Sequence, residues 1–100
     1  MSVKNLHLPM DAIRVLCRQY RVRELALFGS AARDDFDGDS DVDLLVDFEP
    51  EAQVGFLTLA RLRRELSDVL HRPVDLVPKG GLKPRIRQAV LAGAEILYAA

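Results

Sequence analysis

The apolar positions of this chain fall into two kinds of run, some spaced three and four apart and some nearly continuous. Ile13, Leu16, Cys17 and Tyr20 recur at i, i+3, i+4 and i+7, one stripe of a helix opened by Pro9. Glu24–Phe28 reads as a short buried strand stopped at Gly29. Gly29–Arg33 is a tight turn into a short helix, and Asp34–Ser40 is a polar loop. Asp41–Phe48 is a second strand, ended by Pro50. The clearest helix is Phe56–Leu70, with Phe56, Leu59, Leu62, Leu66 and Val69 or Leu70 on one side and Arg61, Arg64, Glu65 and Asp68 on the other. His71-Arg72-Pro73 breaks it. Val74–Val77 forms a third strand, stopped by Pro78 and Gly80-Gly81. Pro84 opens a last helix to Ala92, Gly93 stops it, and Glu95–Tyr98 is a final edge strand. Alternating helices and strands predict an α/β (α+β) fold, a small mixed sheet flanked by helices.

Length and composition set bounds on this picture. The chain has 100 residues, 49% apolar and 29% charged, which predicts one domain over residues 1–100 with a modest core. A net charge of -1 argues against binding nucleic acid through bulk charge. The charge is nonetheless uneven. Asp34–Glu51 is acidic, while Arg61–Arg64 and Lys79–Arg87 are basic, a layout that suits a metal site handling phosphates or, equally, ordinary solvated faces. Cys17 has no partner for a disulfide and falls in the first apolar stripe, so it is assigned to the core. Met1–Leu8 lacks a leader's apolar run, and no stretch approaches the ~20 apolar residues of a membrane span, which predicts a cytoplasmic protein with no membrane contact.

The candidate chemistry centres on Asp41 and Asp43. Residues two apart on a strand share a face, at about 6.6 Å separation. Two carboxylates there repel each other, and in so apolar a strand they are costly unless a cation neutralises them. Mg²⁺ takes carboxylates, water and substrate phosphates together, and paired ions about 3.5–4 Å apart serve phosphoryl transfer. A calcium loop competes, because Asp35, Asp37, Asp39, Asp41 and Asp43 alternate. Its required glycine and glutamate fall on Ser40 and Val46 in one register and on Val42 and Phe48 in the other, so it fails. Gly29-Ser30, between a strand and a helix, lets backbone N–H groups and the Ser30 hydroxyl meet a phosphate.

After Gly29-Ser30 come ten residues and then Asp41-Val42-Asp43. This spacing resembles the signature of the DNA polymerase beta nucleotidyltransferase superfamily. The wider runs Leu27–Arg33 and Ser40–Val46, with the closing Gly93–Tyr98, look like its minimal nucleotidyltransferase (MNT) branch. The resemblance implies the polymerase-beta-type fold and a third carboxylate on a following strand, which Asp75 matches. It implies that Asp41 and Asp43 bind two Mg²⁺ ions, and that Asp75 binds the one beside the attacking hydroxyl and is a candidate base for its proton. Arg33 is a candidate for the triphosphate, or else a partner of Asp34 or Asp35. Ser40 joins the nucleotide-binding set and is expected to hold the loop before Asp41. Asp47 shares the face of Asp41 and Asp43 but is read as peripheral. His7 and His71 receive no role.

MNT proteins resemble antitoxins paired with HEPN-domain ribonuclease toxins. The resemblance implies ATP as donor, a tyrosine of a HEPN protein as acceptor, and silencing of the toxin by AMP transfer. No extra domain is evident to hold an acceptor, which points to a docked macromolecule. Two other readings stand beside it. One is neutralisation by binding alone, through apolar residues such as Leu82, Leu91, Ile96 and Tyr98. The other is transfer to a small-molecule acceptor.

Overall fold

The computed structural model describes residues 2–3, 6–29, 41–81, 88 and 93–99. Two very short strands open it, β1 (Ser2–Val3) and β2 (Leu6–His7), paired antiparallel, a feature the apolar pattern does not announce. Helix α1 spans Met10–Gln19, with Pro9 as its N-cap and Ile13 N–H donating to the Pro9 carbonyl at 3.1 Å. Its inward stripe is Ile13, Leu16 and Cys17, as the spacing predicts. Arg21, in the left-handed region at φ 58°, turns the chain into β3 (Val22–Phe28). That strand starts two residues before the expected Glu24, because a bulge between Val22 and Glu24 interrupts its alternation.

Strand β4 spans Val42–Phe48, helix α2 Phe56–Leu70, β5 Val74–Pro78 and β6 Glu95–Ala99. The sheet order is β5-β4-β3-β6. Strand β4 runs parallel to β5, whereas β3 is antiparallel to both β4 and β6. The sheet is thus mixed, and β6 lies at an edge, as expected. Helix α2 is the crossover between the parallel strands. His71, at φ 56°, caps it in the left-handed conformation, which explains why His71-Arg72-Pro73 ends the periodicity.

Both helices pack on one face of the sheet. The core joins Ile13 and Leu16 of α1, Leu62 and Leu66 of α2, and alternate strand residues such as Leu27 and Leu44. The Tyr20 hydroxyl donates to Glu65, tying α1 to α2; partial burial and that bond raise its pKa. Burial pushes the Cys17 thiol up to about 11, consistent with its place in the core.

Two expectations need correction. Phe56 is not on the buried side of α2: it is 82% exposed. It lies in the first turn, six residues before Leu62, the first buried residue of the stripe, and roughly 80° around the helix from the stripe's middle residue Leu66. Tyr98, expected as an exposed contact, is half-buried against the core, whereas Ile96 is 60% exposed. The turn and short helix after Gly29, the loop Asp34–Ser40 and, apart from Gln88, which is helical and exposed, the helix Pro84–Ala92 lie outside the described residues, as do Leu82 and Leu91.

Candidate active site

Strand alternation decides which side chains face away from the helices. In β4, Val42, Leu44 and Val46 enter the core, so Asp43, Leu45 and Asp47 stand on the opposite face. In β5, Val74 and Leu76 enter the core and Asp75 stands opposite. The parallel register pairs Asp43 directly with Asp75, and Leu44 with Leu76. Adjacent strands lie about 4.8 Å apart, so these two carboxylates share one row of the open face. Asp41 directly precedes β4, two residues before Asp43, and is exposed, as is Asp75; Asp43 is half-buried.

The glycine turn arrives in the same place. Phe28, the last residue of β3, is paired with Asp43 across the sheet. Gly29 follows at φ +71°, where a Cβ would sit 2.2 Å from Asp43 Oδ2 and 3.0 Å from its Cγ. Glycine is thus required twice, by the positive φ and by the carboxylate against its Cα. The glycine turn and the aspartate strand, separate in the motif, touch. Phe28 is half-buried on the same row and walls the site beside Asp43, a contribution the sequence reading did not assign. Its position directly before Gly29 was the available signal.

The structure therefore gathers Gly29, Asp43 and Asp75, with Asp41 at the head of the strand. Among the described residues no group of three His, Cys, Asp or Glu side chains is drawn tightly enough to hold a metal ion. The donor set still fits hard divalent cations: Asp43 and Asp75 in one row with exposed Asp41 two residues before Asp43, beside a backbone cradle that a Cβ would fill. Ser30, Arg33 and Ser40 lie outside the described residues. Asp47 is indeed engaged elsewhere. Arg23 Nε donates to its Oδ2 at 3.1 Å and Nη2 donates to the same oxygen, which raises the Arg23 pKa further. Lys79 Nζ meets Glu24 Oε1 at 3.3 Å, a second ion pair away from the carboxylate row.

Residues 10–97 match the nucleotidyltransferase domain family. The chain belongs to that family. This nucleotidyltransferase is 41% identical over 83 residues to the protein adenylyltransferase MntA of Thermococcus cleftensis, covering 83% of this chain and 80% of the relative. Among solved structures, a candidate minimal nucleotidyltransferase is 37% identical, with a TM-score of 0.69 over 88% of this chain and 95% of its own. A toxin–antitoxin structure with AMP-PNP superimposes at a TM-score of 0.76 and 23% identity, over 93% of this chain and 75% of its own. A complex of tri-AMPylated Shewanella oneidensis HEPN toxin with its MNT antitoxin gives 0.67 at 22% identity, over 91% and 70%. At those identities the last two bear on the fold, which they share. The enzyme's substrate is accordingly a nucleotide. No helix among the described residues is long and apolar enough to cross a membrane.

Proposed function

We propose that this chain is an antitoxin that transfers AMP from ATP to a tyrosine of a HEPN-domain toxin and so neutralises it, with residues 1–100 acting as one catalytic unit. The observation that carries the reading is the pairing of Asp43 with Asp75 in register, with Gly29 packed against Asp43. Similarity to a protein adenylyltransferase and to an MNT antitoxin bound to an AMPylated HEPN toxin supports it.

Asp41 and Asp43 would hold two Mg²⁺ ions, and Asp75 the one on the acceptor side. When bound, these ions supply Lewis-acid stabilisation of the charge on the attacking hydroxyl and the triphosphate. The rest falls to the chain. The Gly29 turn lets backbone approach the phosphates, with Ser30, Arg33 and Ser40 completing the nucleotide contacts. The Asp75 carboxylate takes the phenolic proton. The tyrosine oxygen bonds to the α-phosphorus as its bond to the pyrophosphate oxygen breaks, and pyrophosphate leaves. Bound there, the ions would also offset the mutual repulsion of the neighbouring Asp43 and Asp75 carboxylates.

The test is co-expression with the HEPN protein of its own genome, followed by intact-mass spectrometry of that protein. One or more adenylyl groups on a tyrosine are expected, and none with the Asp41→Asn, Asp43→Asn double variant. An unmodified partner in the presence of Mg²⁺ and ATP would sink the reading. If the double variant still protects cells, neutralisation is by binding alone, a possibility that the exposed Ile96 keeps in view.

A further inference from the structure

The flank of α2 beside the β5 edge is more apolar than a solvated helix face. Phe56 is 82% exposed and Leu57 79%. Two hollows meet at Phe56 and Leu59. One, of about 160 Å³, is closed by Phe48, Val54 and Pro78; the other, of about 170 Å³, by Ala60 and Leu76. A third, of about 460 Å³, shares Ala60 and Arg63 and reaches Ser67 and Asp68. The first two form a groove between the start of α2 and strands β4 and β5; the third, lined by α2 alone, continues it as the exposed helix surface to Ser67 and Asp68.

Its rim is cationic. Arg61, Arg63 and Arg64 are exposed and make no ion pair among the described residues. Arg14, Arg21 and Arg23 each meet a carboxylate of this chain. An apolar centre rimmed by three exposed arginines, with Asp68 the one carboxylate among the described lining residues, is the make-up of a protein interface, since aromatic residues and arginine are enriched where such contacts carry their energy.

The groove also points somewhere. Its Ser67 end lies against the start of β5, where Val74 N–H donates to Ser67 Oγ at 3.1 Å. The next residue is Asp75. An occupant lying along α2 therefore runs beside the β5 edge on the helix side of the sheet, across from the face that carries Asp75. The β5 edge alongside suits an extended peptide poorly, because Ser67 takes the Val74 N–H and Pro78 has none. A helix, whose backbone bonds are internal, is the better fit.

We propose that this groove seats a helix of the acceptor protein, one with apolar residues flanked by carboxylates, and so anchors the acceptor at the β5 edge. The inference rests on the reading above that the acceptor is a protein. It assigns recognition to α2, remote from the nucleotide motif.

The experiment titrates the full chain against the purified HEPN protein of its own genome by calorimetry, with Mg²⁺ and ATP binding measured in parallel. Phe56→Asp and the double variant Arg63→Glu, Arg64→Glu are each expected to weaken the complex at least tenfold while nucleotide affinity stays within twofold. Both sites are exposed, so the variants should keep their thermal midpoints; should Phe56→Asp unfold, the arginine pair decides. Partner affinity unchanged in the arginine variant would overturn the groove and leave the transfer reading standing. A wild-type chain that forms no complex would overturn both. A dimer of the chain alone, dissolved by Phe56→Asp in sedimentation equilibrium, would give the groove to a second copy and overturn the proposal.

Discussion

The two faces of β4 divide stability from chemistry within seven residues. Toward the helices, Val42, Leu44 and Val46 are at most 1% exposed. Toward the open side, Asp43 and Asp47 alternate with buried Leu45, and Asp43 faces Asp75 and the Gly29 turn. Each apolar side chain on the closed face contributes about 1.5–3 kcal/mol by leaving water. That burial lets the strand hold carboxylates on the other face, outside the core. The sheet is thus a rigid mount, and its stability and its reactivity should respond to different substitutions.

The strongest way to break this division is Asp43→Asn. AMP transfer should fall about 10³-fold, equivalent to roughly 4 kcal/mol of barrier, while urea stability changes by less than about 1 kcal/mol. Full transfer by this variant would refute the assignment of the open face. Leu44→Ala, one residue along and on the other face, should do the reverse. It should cost about 3 kcal/mol of unfolding free energy in urea titration and leave the transfer rate per folded molecule near wild type. Gly29→Ala tests the junction between the two. A Cβ 2.2 Å from Asp43 Oδ2 must displace that carboxylate, and the positive φ adds about 1–2 kcal/mol of strain. Both stability and transfer should drop, transfer by at least about tenfold.

A pH titration sharpens the closed face. Burial raises the Cys17 thiol from 9.0 to about 11, so between those values the folded state holds a proton that the unfolded state has lost. Stability is then full below pH 9 and declines toward pH 11, by about 2–3 kcal/mol as an upper estimate. Thermal midpoints across that window should fall more steeply for wild type than for Cys17→Ala. The smallest effect belongs to the surface ion pair. Arg23→Ala removes its contact with Asp47 and should leave the urea midpoint close to that of wild type, with no change in transfer. A large loss of activity there would move Asp47 from the periphery into the site.

Much of this was legible in the sequence because it is local. The periodicity of Ile13, Leu16 and Cys17 gave the inward face of α1, and the continuous apolar run around Asp43 gave a strand covered on at least one side. Phe56 misled because a residue at the first turn of a helix fits an apolar template while the buried part of α2 begins only at Leu62. The hairpin of β1 and β2 left no mark in the pattern, since two-residue strands are too short to show alternation.

By itself the chain's order of residues singled out Gly29, Asp41 and Asp43 as the candidates for chemistry, because strand alternation and the glycine–aspartate spacing depend only on near neighbours. Tertiary structure alone decided that Asp75 stands beside Asp43, since that register is set by the α2 crossover between two strands distant in sequence. It also decided that the bare Cα of Gly29 lies against the Asp43 carboxylate. Contacts of this kind arise from how elements pack, and packing is fixed by the whole core at once.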